Sequence, residues 1–455
     1  MVGTGGQGRR RAALSTLIVW LGLCLVLNVV FVRRMHIVLA VVIVVRILVP
    51  GVVQNEVMPG LHPSTYLFLC FMVVQLAFAP STFGRALRSA GVWPQAIIGG
   101  IAAVMMTDVG NPGSAGLLDT AMFVFGIVWA PYYAFVFMRY SIRSIPGAGR
   151  VFLVTFTLLA LAEAVLSQFQ VATGKPIVWE SDFSRIWLSG TVSELGAAIG
   201  TFGHGIQVGV FFAAVMPLLA LIRSMLLRFA LAAVLLVTVP LAYGRMGLVL
   251  TVVGFVFLVI IGGRKVLRSI LFAAVVLVAL VVSIQGVAGE KLLRKFEDDN
   301  GSAALRVAAF DWFWEHTAEF FAGGYPGSRD LKGVGTLGSS LENGYFMMAV
   351  MFGILAVIAF IIFMVCLLFS QIDIRKRDSW PGFAAAALII VAINGYSSIG
   401  GNSIDIHLFW FVLAMASYRS TRTPQLKEDP LRASSDRFPA SADSSAFPAG
   451  RVTAS

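Results

Sequence analysis

Charge is scarce in this chain. Asp, Glu, Lys and Arg make up only 13% of its 455 residues, against about 25% in a soluble domain. Cysteine is scarcer still. Cys24, Cys70 and Cys366 each lie inside an apolar run, so the chain offers no disulfide framework. The histidines (His36, His62, His204, His316 and His407) are scattered, and no Cys/His group has metal-ligand spacing. No GxxxxGK[ST] phosphate loop occurs, which argues against ATP-driven transport by this chain alone. Runs of about ten residues with alternating polarity, the mark of a membrane barrel, are also missing.

What is there is hydrophobic. Apolar and aromatic residues reach 58%, and the mean hydropathy is +0.86. Runs of about 17–25 apolar residues, the length a spanning helix needs, recur along the whole chain. The sequence therefore predicts an all-α polytopic membrane protein. Candidate spans cover residues 13–32, 36–53, 64–80, 94–107, 119–138, 151–170, 204–222, 229–242, 246–262, 267–287, 343–370, 381–399 and 405–418. The stretch 229–262 is too long for one span and is interrupted by "LAYGRMG", so a hairpin of two helices is preferred over one bent helix.

Basic clusters set the orientation. Arg85/Arg88, Arg139/Arg143/Arg150, Arg223/Arg228, Arg264/Lys265/Arg268 and Arg375/Lys376/Arg377 alternate with loops poor in Lys and Arg. By the positive-inside rule the basic face is cytoplasmic. The other face, with residues 171–203 and a long loop over 288–342 between the tenth and eleventh spans, is external. Nearly equal charge flanks the first run, leaving 13 spans with the N-terminus outside or 12 with it inside. Four regions follow: N-terminal membrane helices over 1–287, the external loop 288–342, C-terminal membrane helices over 343–418, and a Ser-, Ala- and Pro-rich cytoplasmic tail over 419–455 that reads as disordered. The net charge of +11 reflects this topology and the tail, and does not imply a nucleic-acid partner.

On the external side, several polar residues sit at the ends of spans, a layout that suits an anionic headgroup. Arg245 stands in the tight turn of "PLAYGRMGLVL". A guanidinium fork suits phosphate oxygens; the plainer role is an interfacial Arg that snorkels to lipid headgroups. His204 lies in "GTFGHGIQVG", where it can bond a sugar or phosphate, or simply sit satisfied at the interface. Arg185 reads either as a second phosphate clamp or as an ion-pair partner of Asp182. Arg306 opens an expected helix over 303–321, whose Leu305, Ala309, Phe310, Phe313, Trp314 and Phe320 suggest a face resting on the bilayer.

"LGSSLENGYFMMAVMFG", residues 337–353, places Glu342 and Asn343 directly before a long apolar run. A carboxylate at the edge of hydrocarbon is costly, and is usually paired, solvated or functional. Ser339 or Ser340 as helix cap, with Glu342 in the first turn, accounts for the acid without catalysis. Substrate binding or catalysis is the competing reading.

The order of these features resembles the O-antigen ligase and polymerase superfamily. The resemblance is carried by "GTFGHG" at a span start, "YGRMG" in an external turn, "ALRVAAFDWFWEH" followed by "GGYPG" in a long external loop, and "SSLENGYFMMAVMFGILAV" leading into the next span. It covers roughly residues 150–415. It implies a glycosyltransferase of surface polysaccharide biosynthesis in the inner (cytoplasmic) membrane. Such an enzyme moves a glycan from an undecaprenyl (polyprenyl) pyrophosphate carrier to an acceptor glycan at the outer face, without metal or cofactor, and with room for a chain-length regulator as partner. On this analogy Glu342 and Arg245 are catalytic, and Arg185, His204, Arg306 and Asn343 bind substrate. Departures are that Glu342 stands where ligases carry histidine, that "YGRMG" lacks the usual serine, and that no Arg closely precedes "GTFG". A flippase or other multi-pass transporter is the rival class, to which Arg46 and Glu163 inside spans would belong.

Overall fold

The computed structural model describes residues 5–51, 60–107, 117–184, 192, 196–262, 266–285, 300–325, 341, 343–373, 375–395 and 404–418. Among the described residues every regular element is a helix. The main ones are α1 (Gly5–Val30), α2 (Met35–Leu48), α3 (Pro63–Phe78), α4 (Pro80–Ala90), α5 (Val92–Met106), α6 (Thr120–Ser144) and α7 (Ala148–Thr173). They are followed by α8 (Gly205–Leu218), α9 (Met225–Ala242), α10 (Arg245–Gly262), α11 (Val266–Ile284), α12 (Asn300–Glu315), α13 (Gly344–Phe352), α14 (Ile354–Gln371), α15 (Trp380–Ile393) and α16 (Ile404–Ala414).

Each predicted apolar run is helical, but length separates the helices. Among the described residues, four (α6, α7, α9 and α14) are long and apolar enough to cross a membrane; α3 with α4 makes a fifth if the pair, bent by 117°, is one span. Shorter apolar helices, among them α2, α5, α8, α10 and α16, account for other predicted runs. Pro80 follows the bend at Ala79. Gly353, at φ +92°, splits the predicted span 343–370 into α13 and α14.

α8, α10 and α15 form the centre of the bundle. A Cβ placed on Gly209 would lie 2.5 Å from Gly247 Cα, Gly244 abuts Ile206, and Gly254 packs on Ala213 and Met216. Thr251 Oγ1 donates to Gly209 O at 3.1 Å. Residue numbers rise together along this contact, so α8 and α10 run parallel and α9 returns between them. The hairpin reading of 229–262 is therefore the right one. Small residues let the two backbones touch, as in close helix packing within membranes.

The basic residues Arg150, Arg223, Arg228 and Arg377 gather at one end of these helices. Arg223, Arg150 and Asp378 all act electrostatically on Tyr418, and Arg377 acts on Arg228. Arg377 donates to Ile260 O at 2.9 Å near the end of α10, and Arg228 to Ile222 O at 2.6 Å at the start of α9. The starts of α8 and α10 lie at the opposite end.

The segment 300–325 carries a buried and an exposed apolar face. Ala309, Trp312, Phe313 and Phe320 are buried, whereas Val307, Phe310, Trp314 and Phe321 are exposed. Phe313 stacks on Phe346 of α13 with ring centroids 4.1 Å apart. Beyond α12 the chain enters the break at Gly353. Tyr325 N donates to Val350 O at 2.7 Å, and Leu355 N to Phe321 O at 3.2 Å. These groups lose their helical partners at the break, and a neighbouring segment supplies new ones, as broken membrane helices require.

Candidate functional site

The end opposite these arginines carries the polar machinery. Its base is the turn before α8. Gly196, Gly200 and Gly203 all take positive φ (67°, 56° and 80°), which the repeated glycines permit at little cost. Two side chains of α7 hold this turn. Gln170 Oε1 accepts from Ile199 N (3.1 Å) and Gly200 N (2.9 Å), and its Nε2 donates to Gly200 O (3.0 Å). Glu163 Oε2 accepts from Thr201 N at 3.0 Å. Thr201 Oγ1 lies 2.5 Å from Glu163 Oε1 and 2.7 Å from Ile47 O. Glu163, Gln170 and Thr201 are all buried.

The turn delivers His204 to the start of α8 as its N-cap. The exposed ring accepts a hydrogen bond from Ile206 N through Nδ1 at 3.2 Å. In the neutral ring the proton is therefore on Nε2. Ala198 N donates to Leu241 O at 2.8 Å, which ties this turn to the α9–α10 hairpin. In the hairpin Tyr243 adopts φ +48°, a left-handed conformation uncommon for a non-glycine residue, and Arg245 opens α10 half-buried.

Asn343 arrives from the other half of the chain. Its Oδ1 caps α13, accepting from Tyr345 N (2.9 Å) and Phe346 N (3.2 Å). The cap is thus Asn343, not the expected Ser339 or Ser340, which lie outside the described residues. Asn343 Nδ2 donates to Asn394 Oδ1 at 2.6 Å. The next residue, Gly395, abuts the Met246 side chain, and Met246 adjoins Arg245. Contacts among the two asparagines, Gly395 and Met246 thus link the Arg245 turn to Asn343.

Of the residues singled out from sequence, His204, Arg245 and Asn343 stand at this end. Glu342 and Arg185 lie outside the described residues. Arg306 lies in α12, the helix that stacks on α13. The acidic residue nearest in sequence to Arg185, Asp182, accepts from Ser181 Oγ at 3.4 Å, while Lys175 pairs with Glu180 at 3.7 Å.

Sequence reasoning missed several participants. Glu163 and Gln170, seven residues apart on α7, face the same turn because seven residues are two helical turns. Asn394-Gly395, a polar pair closing an apolar run, was the available sign for Asn394. Arg46, His62 and Asp405, the last at the start of α16, are all buried, and His62 bonds Val49 O at 2.9 Å.

The arrangement favours an anion. Arg245 is a fixed cation, and the N-termini of α8, α10 and α13, each with positive dipole character, open at the same end. Among the described residues no three His, Cys, Asp or Glu side chains come together as a metal would require.

Fold and site together give an all-α chain with helices long and apolar enough to cross a membrane, and a polar end built on glycine turns. No protein-family model matches the chain, and neither curated proteins nor solved structures give a match.

Proposed function

We propose that this protein is a glycosyltransferase that uses a lipid-linked donor, an O-antigen polymerase or ligase in kind. The observation that carries the reading is the link from Arg245 to Asn343 through Met246, Gly395 and Asn394. It brings the cationic turn and Asn343, the residue after Glu342 in sequence, to one end of the bundle. In this reading the chain crosses the inner membrane 12–13 times, with the C-terminal tail in the cytoplasm and the Arg245 end at the outer face.

An acceptor hydroxyl attacks the anomeric carbon of a glycan on polyprenyl pyrophosphate, with inversion. The bond to the pyrophosphate oxygen breaks, and negative charge grows on the leaving phosphates. Arg245 and the helix N-termini stabilise that charge, usually the largest part of such catalysis. Glu342 accepts the hydroxyl proton, an assistance of about 10²–10⁴-fold. His204, Arg185, Arg306 and Asn343 hold the donor headgroup and the acceptor. The donor is already activated, so the step needs no ATP.

A second reading has its own support. Buried Arg46 and Asp405, and the break at Gly353, are features that carriers also use. Purified protein in vesicles, given a polyprenyl-pyrophosphate glycan, separates the two. Longer or transferred glycan is the expected product. Movement of the lipid between leaflets without new glycosidic bonds would make the protein a flippase.

A further inference from the structure

Glu163 has no part in the proposed chemistry, yet it is buried within bonding distance of the turn that carries His204. Its contacts can be counted proton by proton. Oε2 accepts the backbone N–H of Thr201 at 3.0 Å. Oε1 lies 2.5 Å from Thr201 Oγ1, and that same Oγ1 lies 2.7 Å from Ile47 O. A threonine hydroxyl has one proton to give, and a backbone carbonyl has none.

If the hydroxyl donates to an ionised Glu163, Oγ1 and Ile47 O face each other across 2.7 Å with no proton between them. Ile47 O belongs to the last turn of α2, where carbonyls lack a helical donor. If instead Glu163 carries a proton on Oε1, both contacts become hydrogen bonds: Glu163 to Thr201 Oγ1, then Thr201 to Ile47 O. An isolated buried carboxylate is costly, and neutralisation removes that cost.

Gln170 shows the same pattern one step along. It offers the turn one acceptor and one donor, and both are used. A protonated carboxyl offers the same pair. We propose that Glu163 is held as a neutral carboxylic acid and positions the Gly200–His204 turn by donating to Thr201. Gly200 fits this role twice over, since its φ is +56° and a Cβ there would collide with Glu163 Oε2. The inference rests on the proposed function only in taking the turn as part of the site.

The test uses the full-length protein in nanodiscs, labelled with ¹³C at glutamate carboxyls and read by infrared spectroscopy. The expected result is a protonated carboxylic-acid C=O stretch in the wild type that vanishes in Glu163→Gln. Thr201→Val should keep that stretch and move it to higher frequency, because the acid loses its acceptor. Glu163→Gln should keep the wild-type melting temperature, while Glu163→Ala should melt lower. The proposal is overturned if the wild-type-minus-Gln difference contains only a carboxylate stretch, if the band is unmoved in Thr201→Val, or if Gln melts as low as Ala. None of these readouts involves a glycan donor. Failure of the transferase reading leaves them standing, and their failure leaves that reading untouched.

Discussion

Asn343 and Asn394 share a 2.6 Å hydrogen bond, Nδ2 to Oδ1, while the other end of the Asn343 amide caps α13. One side chain therefore starts a helix and ties it to the turn after α15. Asn343→Ala should lose both functions. The cap alone is worth about 1 kcal/mol. Asn343→Asp should keep the cap and lose the donor to Asn394. A double-mutant cycle with Asn394→Ala, read by thermal unfolding, should give a coupling of about 0.5–3 kcal/mol. Additive losses would mean that the bridge carries no energy.

Arg245 and Glu342 should fail in different ways. Arg245→Ala should weaken binding of the lipid-linked donor and slow turnover. Arg245→Lys should recover little, because an ammonium cannot reproduce the guanidinium fork. Glu342→Gln should bind donor normally and turn over about 10²–10⁴-fold more slowly. Donor affinity and single-turnover rates, measured separately, decide the matter. Normal values for both in either variant would remove that residue from the site.

The α8–α10 contact should be intolerant of volume. Gly209→Leu and Gly247→Val each place atoms where the facing backbone already lies. Each should cost about 1–3 kcal/mol or more, the usual penalty of overpacking. Gly22→Ala and Gly99→Ala meet nothing within 4 Å and should be neutral by comparison. Melting temperatures in one detergent test all four variants.

The backbone bonds that Tyr325 and Leu355 make across the Gly353 break should protect both amides from hydrogen exchange. Gly353→Val should expose them together. The residue sits at φ +92°, and a Cβ there would come within 2.9 Å of the Ala322 and Gly323 backbone. Loss of protection at only one of the two amides would mean that the segment does not dock as a unit.

Some of this was legible in the sequence. Apolar runs marked where helices form, because hydrophobic length is a local property. "LAYGRMG" marked a reversal, and the motifs around His204, Arg245 and Asn343 marked the polar end. What stayed hidden depends on partners distant in sequence. Glu163 looked like a stray intramembrane acid because nothing local says that "GTFG" docks against it. Phe313 was read only for its place on the apolar face of α12, because its stacking on Phe346 of α13 is a tertiary fact. Gly353 looked like one glycine in a long span, since a sequence does not print φ. Asn343 was read for its chemistry, and its role as the cap was missed.

The docking of residues 321–325 into the break between α13 and α14 also constrains biogenesis. A spanning helix normally leaves the insertion machinery with its backbone already saturated. Here Val350 O and Leu355 N obtain their partners from an earlier stretch of chain. The backbone at this break is satisfied only when the preceding segment has folded back onto it. The C-terminal helices therefore mature together with the segment before them. Expressed alone, a fragment starting at α13 would leave Val350 O and Leu355 N without these partners, a natural target for quality-control proteolysis.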